Sequence, residues 1–406
     1  MKMNSAVSFI SRLLIIACMA TIMFSCNQTK SETSKNNTMK INWSKLSTEG
    51  LMGDLSKGIS AAYAALIDGK LIVAGGANFP ENLGFEGGTK AFYDEIMLYD
   101  KVAEEWKIIG QLPTPSAYGV SVPVADGAIW IGGNNEKESL KSSYQVSLSS
   151  SNEILLKSFP DLPFPMDNFS GCSSGDFVFV AGGNVNGRSS NAIYSLDTKT
   201  DSEWVELPQY PGIPRMQPVL TSIETEGKIF IYLLGGFFGG DDKQKPAMAT
   251  EILKYDVDAK EWSIAGEQID PETGKPFSLG GATAFSIDNR YILCLGGVNY
   301  DVFLDAITTQ YNISSNSKLT SEEKKVQNLN FSKHYMTQPV EYYKFNSECR
   351  VYDTFTGEWT TIDNTTDAAR AGATLVYEGN RFYAVQGELK PGLRSPVSFK
   401  GDIITD

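Results

Sequence analysis

Short apolar runs recur along the chain, and each ends in a pair of glycines. They read LIVA, AIWI, FVFVA, FIYLL and YILCL, closing on Gly75-Gly76, Gly132-Gly133, Gly182-Gly183, Gly235-Gly236 and Gly296-Gly297. A sixth copy, RFYAV, closes on Gln386-Gly387. Runs this short, rich in β-branched and aromatic side chains, predict buried strands rather than helices. A second unit follows each glycine pair: EIMLYD at 95–100, SYQVSL at 143–148, AIYSLD at 192–197, EILKYD at 251–256 and ECRVYD at 348–353. A turn and a tryptophan strand come next, carrying Trp106, Trp204, Trp262 and Trp359, whereas the second copy has EILLKS instead.

Each copy therefore offers a strand before the glycines, one ending in them, one with tyrosine and one with tryptophan. Four antiparallel strands per repeat make a propeller blade. The pattern predicts an all-β chain, a six-bladed kelch-type β-propeller. Its ends complete each other: the sixth copy stops after VSFKGDII, and the missing tryptophan strand, INWSKL with Trp43, lies at 41–46. Pairing of that N-terminal strand with the last blade would remove two open edges. One interval is irregular. Gly297 and Gly387 are 90 residues apart, against 50 to 61 between the other copies. The excess, about 303–346, predicts a partly helical insertion in the fifth blade, with Thr320 and Glu323 as a capping box.

The first residues do not fit this repeat. Lys2 and Arg12 precede an apolar run from Leu13 to Phe24, followed by Ser25-Cys26. That arrangement predicts a lipoprotein signal peptide at 1–25, lipidation of Cys26 and a polar tether at 26–40, with the propeller at 41–406. The expected location is periplasmic or cell-surface, anchored to the envelope through lipid. Cys172, Cys294 and Cys349 remain, an odd number that predicts no disulfide framework.

The formal charge of −13 changes the list of partners. It repels phosphate backbones, so nucleic acid is excluded as an expected partner, and an anionic substrate would need a local cation. Directly after the second glycine the six copies carry Ala77, Asn134, Asn184, Phe237, Val298 and Glu388. Only Glu388 is ionisable. A carboxylate at the mouth of a pocket can serve as general acid and base. Arg394, across the turn of GELKPGLR, offers a planar fork for a substrate carboxylate. The same two residues also fit a structural ion pair that closes the blade. Tyr118, Asn168, Arg215, Gln217 and Arg370 fall on the presumed inner strands, where Arg215 and Arg370 also read as structural donors. Tyr118, Arg215, Gln217, Asn78 and His334 are the candidate substrate-binding residues. A lone histidine builds no multi-histidine metal site, and no Cys/His metal spacing is visible, so neither metal nor cofactor is expected.

GELKPGLR at 387–394, GGVNYDVFLDAI at 296–307, SAYGVSVP at 116–123 and SKHYM in the insertion resemble the bacterial N-acetylneuraminate epimerases, or sialic acid mutarotases. The resemblance runs in rotated order, as in the cyclically permuted mutarotase branch. It implies interconversion of the α and β anomers of N-acetylneuraminate, with Glu388 as the acid–base residue and Arg394 as its partner and no cofactor. A homodimer is one assembly compatible with it. A carbohydrate-binding kelch lipoprotein without catalysis, or a mutarotase for another keto-acid sugar, are the competing readings.

Overall fold

The computed structural model describes residues 39–200 and 202–405. The expected leader, Cys26 and nearly all of the tether lie outside the described residues. Among the described residues the chain is all-β except for two short 3-10 helices, Gly53–Lys57 and Gly84–Glu86, and one α-helical excursion. Six four-stranded antiparallel sheets account for most of it. In the first, Tyr63–Ile67, Lys70–Ala74, Glu95–Asp100 and Glu105–Gln111 pair in chain order. The next four sheets repeat this meander. The sixth differs: Thr374–Glu378 pairs with Arg381–Val385, then with Phe399–Thr405, and the outermost strand is Met39–Lys45 from the other end of the chain. That first strand begins two residues before the expected boundary, because Met39 and Ile41 both point into the core.

The chemistry of the repeat explains this regularity. The strands ending in glycine are buried on both faces, which is why they read as unbroken apolar runs. Gly75 has φ +63°, and a Cβ there would lie 2.3 Å from the Ser116 carbonyl oxygen, so only glycine lets the two backbones meet. Each tryptophan of the outer strands uses its indole N–H to reach the preceding sheet. Trp204 donates to Pro160 O at 3.0 Å, Trp262 to Pro208 O at 2.7 Å and Trp359 to Glu267 O at 2.9 Å. Trp43 does the same to Asp363 Oδ2 at 2.7 Å and stands edge-on to Phe382 and Phe399.

At the inner end of each sheet the chain makes a left-handed turn before its first strand. Ala61, Tyr118, Asn168, Gln217, Gly281 and Gly372 all have φ between +48° and +68°. Their amides bond in sequence: Tyr118 N–H to Ala61 O, Asn168 to Tyr118, Gln217 to Asn168, Gly281 to Gln217 and Gly372 to Gly281, at 2.7–3.1 Å. Ala61 N–H donates to Gly372 O at 2.7 Å, so the series returns to its start. Tyr118, Asn168 and Gln217 thus sit in these turns, just ahead of the inner strands on which the sequence reading placed them.

The insertion between Tyr291–Gly296 and Glu348–Asp353 folds as α1 (Tyr300–Ser315), α2 (Ser321–Met336) and the single turn α3 (Val340–Tyr343). Asn299 caps α1, and Thr320 with Glu323 forms the capping box of α2.

Replacing Trp43 tests the pairing of the two chain ends. Trp43→Ala is expected to lower unfolding free energy by about 2–3 kcal/mol, through lost ring packing and an orphaned Asp363. Trp43→Phe is expected to cost only about 1 kcal/mol, the indole hydrogen bond. Urea titration followed by fluorescence measures both, and equal effects of the two variants would contradict this account.

Candidate active site

The residue after each glycine pair is held in the same way in every copy. Its backbone pairs with the residue that precedes the left-handed turn: Ala77 with Ser60, Asn134 with Ala117, Phe237 with Met216 and Glu388 with Ala371 as isolated bridges, and Asn184 with Asp167 in a short ladder. Val298 N–H donates to Gly280 O at 3.0 Å. These six positions therefore surround the same end of the inner strands. The helices α1 and α2 cover that end, and together they enclose a cavity of about 460 Å³. It meets a narrower channel of about 170 Å³ between the first strands, sharing Tyr118, Asn168, Gln217 and Gly372.

Glu388 lines this cavity from a small hairpin in which Glu388–Lys390 pairs with Leu393–Arg394. Gly392 makes the turn with φ +86°, and a Cβ there would lie 2.3 Å from Leu83 Cδ2. The hairpin brings Arg394 Nη2 to 2.8 Å from Glu388 Oε1. The carboxylate also accepts the Gly392 N–H at 3.3 Å. Glu388 keeps 25% of its side chain exposed, whereas Arg394 keeps 2%, so the acid faces the cavity and the base is sunk in its wall. Arg394 donates through Nε to Ser60 Oγ at 3.1 Å and lies over Phe79 at 5.4 Å. Its Nη1 is buried with no partner. A buried guanidinium donor left open beside a cavity is costly unless something fills it.

Of the other candidates, Tyr118 and Gln217 line the cavity. Gln217 donates to Asn168 Oδ1 at 2.8 Å, and the Tyr118 hydroxyl accepts from Lys90 Nζ at 3.0 Å. Three do not reach it. Arg215 is 1% exposed and donates to the carbonyls of Leu233, Gly235 and Glu251. Asn78 is buried against Asp54 O, Gly58 O and the Tyr93 hydroxyl. His334 lies on the exposed face of α2, whose Phe331, Ser332, Tyr335 and Met336 face the cavity instead. Arg370 is likewise spent on the carbonyls of Gln386 and Val397.

Sequence reasoning placed the insertion but not the residues with which it and one wall line the cavity. Phe303, Ala306, Ile307 and Gln310 of α1 face the cavity at helical spacing. Burial pushes the Tyr335 phenol up, helped by Tyr343, Tyr342 and the Glu388 carboxylate, so it stays a neutral donor at ordinary pH. Lys90 lines the wall beside Phe79. Lys390 ties roof to hairpin: its ammonium donates to Met336 O at 3.2 Å and Gln338 O at 2.6 Å, at the carbonyl end of α2. Among the described residues no cluster of three or more His, Cys, Asp or Glu could hold a metal ion. The three described cysteines are free and buried.

A family model described as N-acetylneuraminate epimerase matches residues 11–154 and 159–405. The chain belongs to the N-acetylneuraminate epimerase family. N-acetylneuraminate epimerase 1 of Escherichia coli O6:H1 (strain CFT073) is 27% identical over 248 residues, covering 61% of this chain and 60% of that protein. The N-acetylneuraminate epimerase of Haemophilus influenzae (strain PittEE) is 26% identical over 246 residues, 60% of this chain and 59% of that protein. The chain thus spans about 60% of the length of these curated relatives. The solved structure of YjhT superposes with a TM-score of 0.50 at 23% identity, over 61% of this chain and 67% of that one. That likeness bears on the fold alone, an all-β arrangement of four-stranded sheets consistent with a propeller.

Lys390→Met is expected to leave global melting within about 1–2 °C of wild type, since the contact is local. Amide exchange in 330–343 should speed up about tenfold or more, the scale of a lost charge-assisted bond. Hydrogen-exchange mass spectrometry reads this directly, and unchanged protection would show that Lys390 does not hold the roof.

Proposed function

We propose that this protein interconverts the α and β anomers of N-acetylneuraminate by acid–base ring opening and closure. The observation that carries the reading is the Glu388–Arg394 pair at 2.8 Å on the wall of a roofed cavity, in a chain of this family. The substrate bears its carboxylate on the anomeric carbon. Glu388 takes the proton of the anomeric hydroxyl, the bond from that carbon to the ring oxygen breaks, and Glu388 returns the proton to the ring oxygen. An open-chain 2-keto acid results. Rotation about the adjacent carbon–carbon bond and reclosure give the other anomer. Proton transfer by one positioned carboxylate is enough for this chemistry. Arg394 pairs with Glu388 at 2.8 Å and puts a positive charge in the cavity wall that offsets the charge of the incoming anion.

The finer architecture we infer is a six-bladed kelch-type propeller closed by its N-terminal strand, with the roof as the fifth-blade insertion. The six sheets, the returning series of turn hydrogen bonds and the Met39–Lys45 pairing with Phe399–Thr405 support it. A rotated blade order is consistent with the partial coverage of relatives, because colinear comparison of a rotated ring matches only the stretch on one side of the cut. The leader motif ending in Cys26 supports an envelope lipoprotein that meets the sugar outside the cytoplasm.

The test is an NMR time course of freshly released α-N-acetylneuraminate. Wild-type protein should accelerate equilibration over buffer. Glu388→Gln should lower the rate by about 10²–10⁴, the usual scale of acid–base catalysis. Binding without acceleration by wild type would favour a lectin-like role, and acceleration of a different keto-acid sugar in preference would move the substrate assignment.

A further inference from the structure

The cavity holds two cations, and the Glu388–Arg394 pair accounts for one of them. Arg394 has little left to offer an anion. Its Nη2 is on Glu388, its Nε is on Ser60 Oγ, and only Nη1 is open. One of its five N–H donors is thus tied to Glu388 and one to Ser60, and its charge is already matched by a carboxylate.

Lys90 is in the reverse condition. Its ammonium is half-buried in the cavity wall, 5.6 Å from the Phe79 ring centre and 4.9 Å from that of Tyr118. Its hydrogen-bond partner is the Tyr118 hydroxyl at 3.0 Å, and among the described residues no carboxylate stands within ion-pair distance of it. Two aromatic faces offset part of the lost hydration of an ammonium but do not neutralise it. Phe79 ties the two cations together, since the Arg394 guanidinium lies 5.4 Å from the same ring.

We infer that Lys90 is a second anion-binding group of this site, and that Lys90 Nζ holds the sugar-acid carboxylate beside the Glu388–Arg394 pair. The inference rests on the functional reading above and adds how the substrate is oriented. The anomeric hydroxyl and the carboxylate share one carbon. When Glu388 approaches that hydroxyl, it also approaches a second negative charge, and a cation outside the Glu388 pair is needed to offset the repulsion. Lys90 supplies it, and so selects acids over neutral sugars of the same shape.

Isothermal titration of wild type, Lys90→Met and Lys90→Arg with N-acetylneuraminate and with its C1 carboxamide tests this. Lys90→Met should weaken binding of the acid about ten- to hundredfold, the range for a charged hydrogen bond. It should leave carboxamide binding within about twofold, which is the part a merely structural role would not spare. Lys90→Arg should restore most of the affinity for the acid. Melting temperatures equal to wild type establish that the variants are folded, and Lys90→Gln serves the same comparison should Lys90→Met melt early. Unchanged binding of the acid by Lys90→Met overturns the inference, as does equal loss of acid and carboxamide, which would make Lys90 a support for Tyr118. If wild type binds neither compound, the sialic acid reading falls and this inference with it. If wild type binds and only the Lys90 comparison fails, the reading stands and the inference alone is wrong.

Discussion

Six backbone hydrogen bonds between left-handed turns organise everything else in this molecule. Each links the start of one sheet to the start of the next, from Tyr118 to Ala61 and onward until Ala61 meets Gly372. Left-handed backbone is unfavourable for the four non-glycines among them, by roughly 1 kcal/mol each. The arrangement persists because every turn is held on both sides by its neighbours. The turns in turn fix where the residue after each glycine pair must lie, since it bridges to the residue just before the turn. Glu388 is one of those residues. Its position is thus set by the fold's own geometry rather than by a flexible loop.

What distinguishes one side of this symmetrical frame from the others is the added structure. Two helices rise from the fifth sheet, and α1 anchors through Tyr311 to the Asp241 carbonyl at 3.1 Å. Phe237 meets Phe303 edge-on at 4.8 Å. Lys390 grips the end of α2 from the hairpin that also carries Glu388 and Arg394. Roof and hairpin are therefore mechanically one assembly, so a movement of α2 would be felt at Glu388.

Strands were readable because their burial is written in composition. A run such as FVFVA is apolar at every position only when both faces are covered. The cap of α2 was readable too, because Thr320 and Glu323 act locally. Helix α1 was not, since YDVFLDAITTQYNISS carries β-branched residues that resemble strand and owes its helix to packing on Phe237 and Val298. Glu388 and Arg394 stood out because a repeat supplies five neutral comparisons for the acid. Lys90 had no such comparison, lying in an irregular polar loop where a lysine reads as surface. His334 shows the reverse. Its helix is polar on most faces, so sequence does not say which side turns inward, and Phe331 and Tyr335 take that side. Arg215 looked like a binding group because it is charged and near an inner strand; its carbonyl partners are visible only in three dimensions.

The pairing of Met39 with Thr405 has a consequence for how the chain reaches its native state. The sixth sheet takes its outer strand from the beginning of the chain and its other three from the end. No order of synthesis or export lets that sheet form before the last strand is available. Until then the first sheet's neighbour is missing, and Met39–Lys45 remains an unpaired strand with its hydrogen-bonding groups open. Contacts of this sequence separation form late and slowly. Formation of the sixth sheet is thus a completion event rather than a progressive one. A polypeptide released a few residues short would carry a gap in the wall with two sticky edges, a form well suited to recognition by chaperones and proteases.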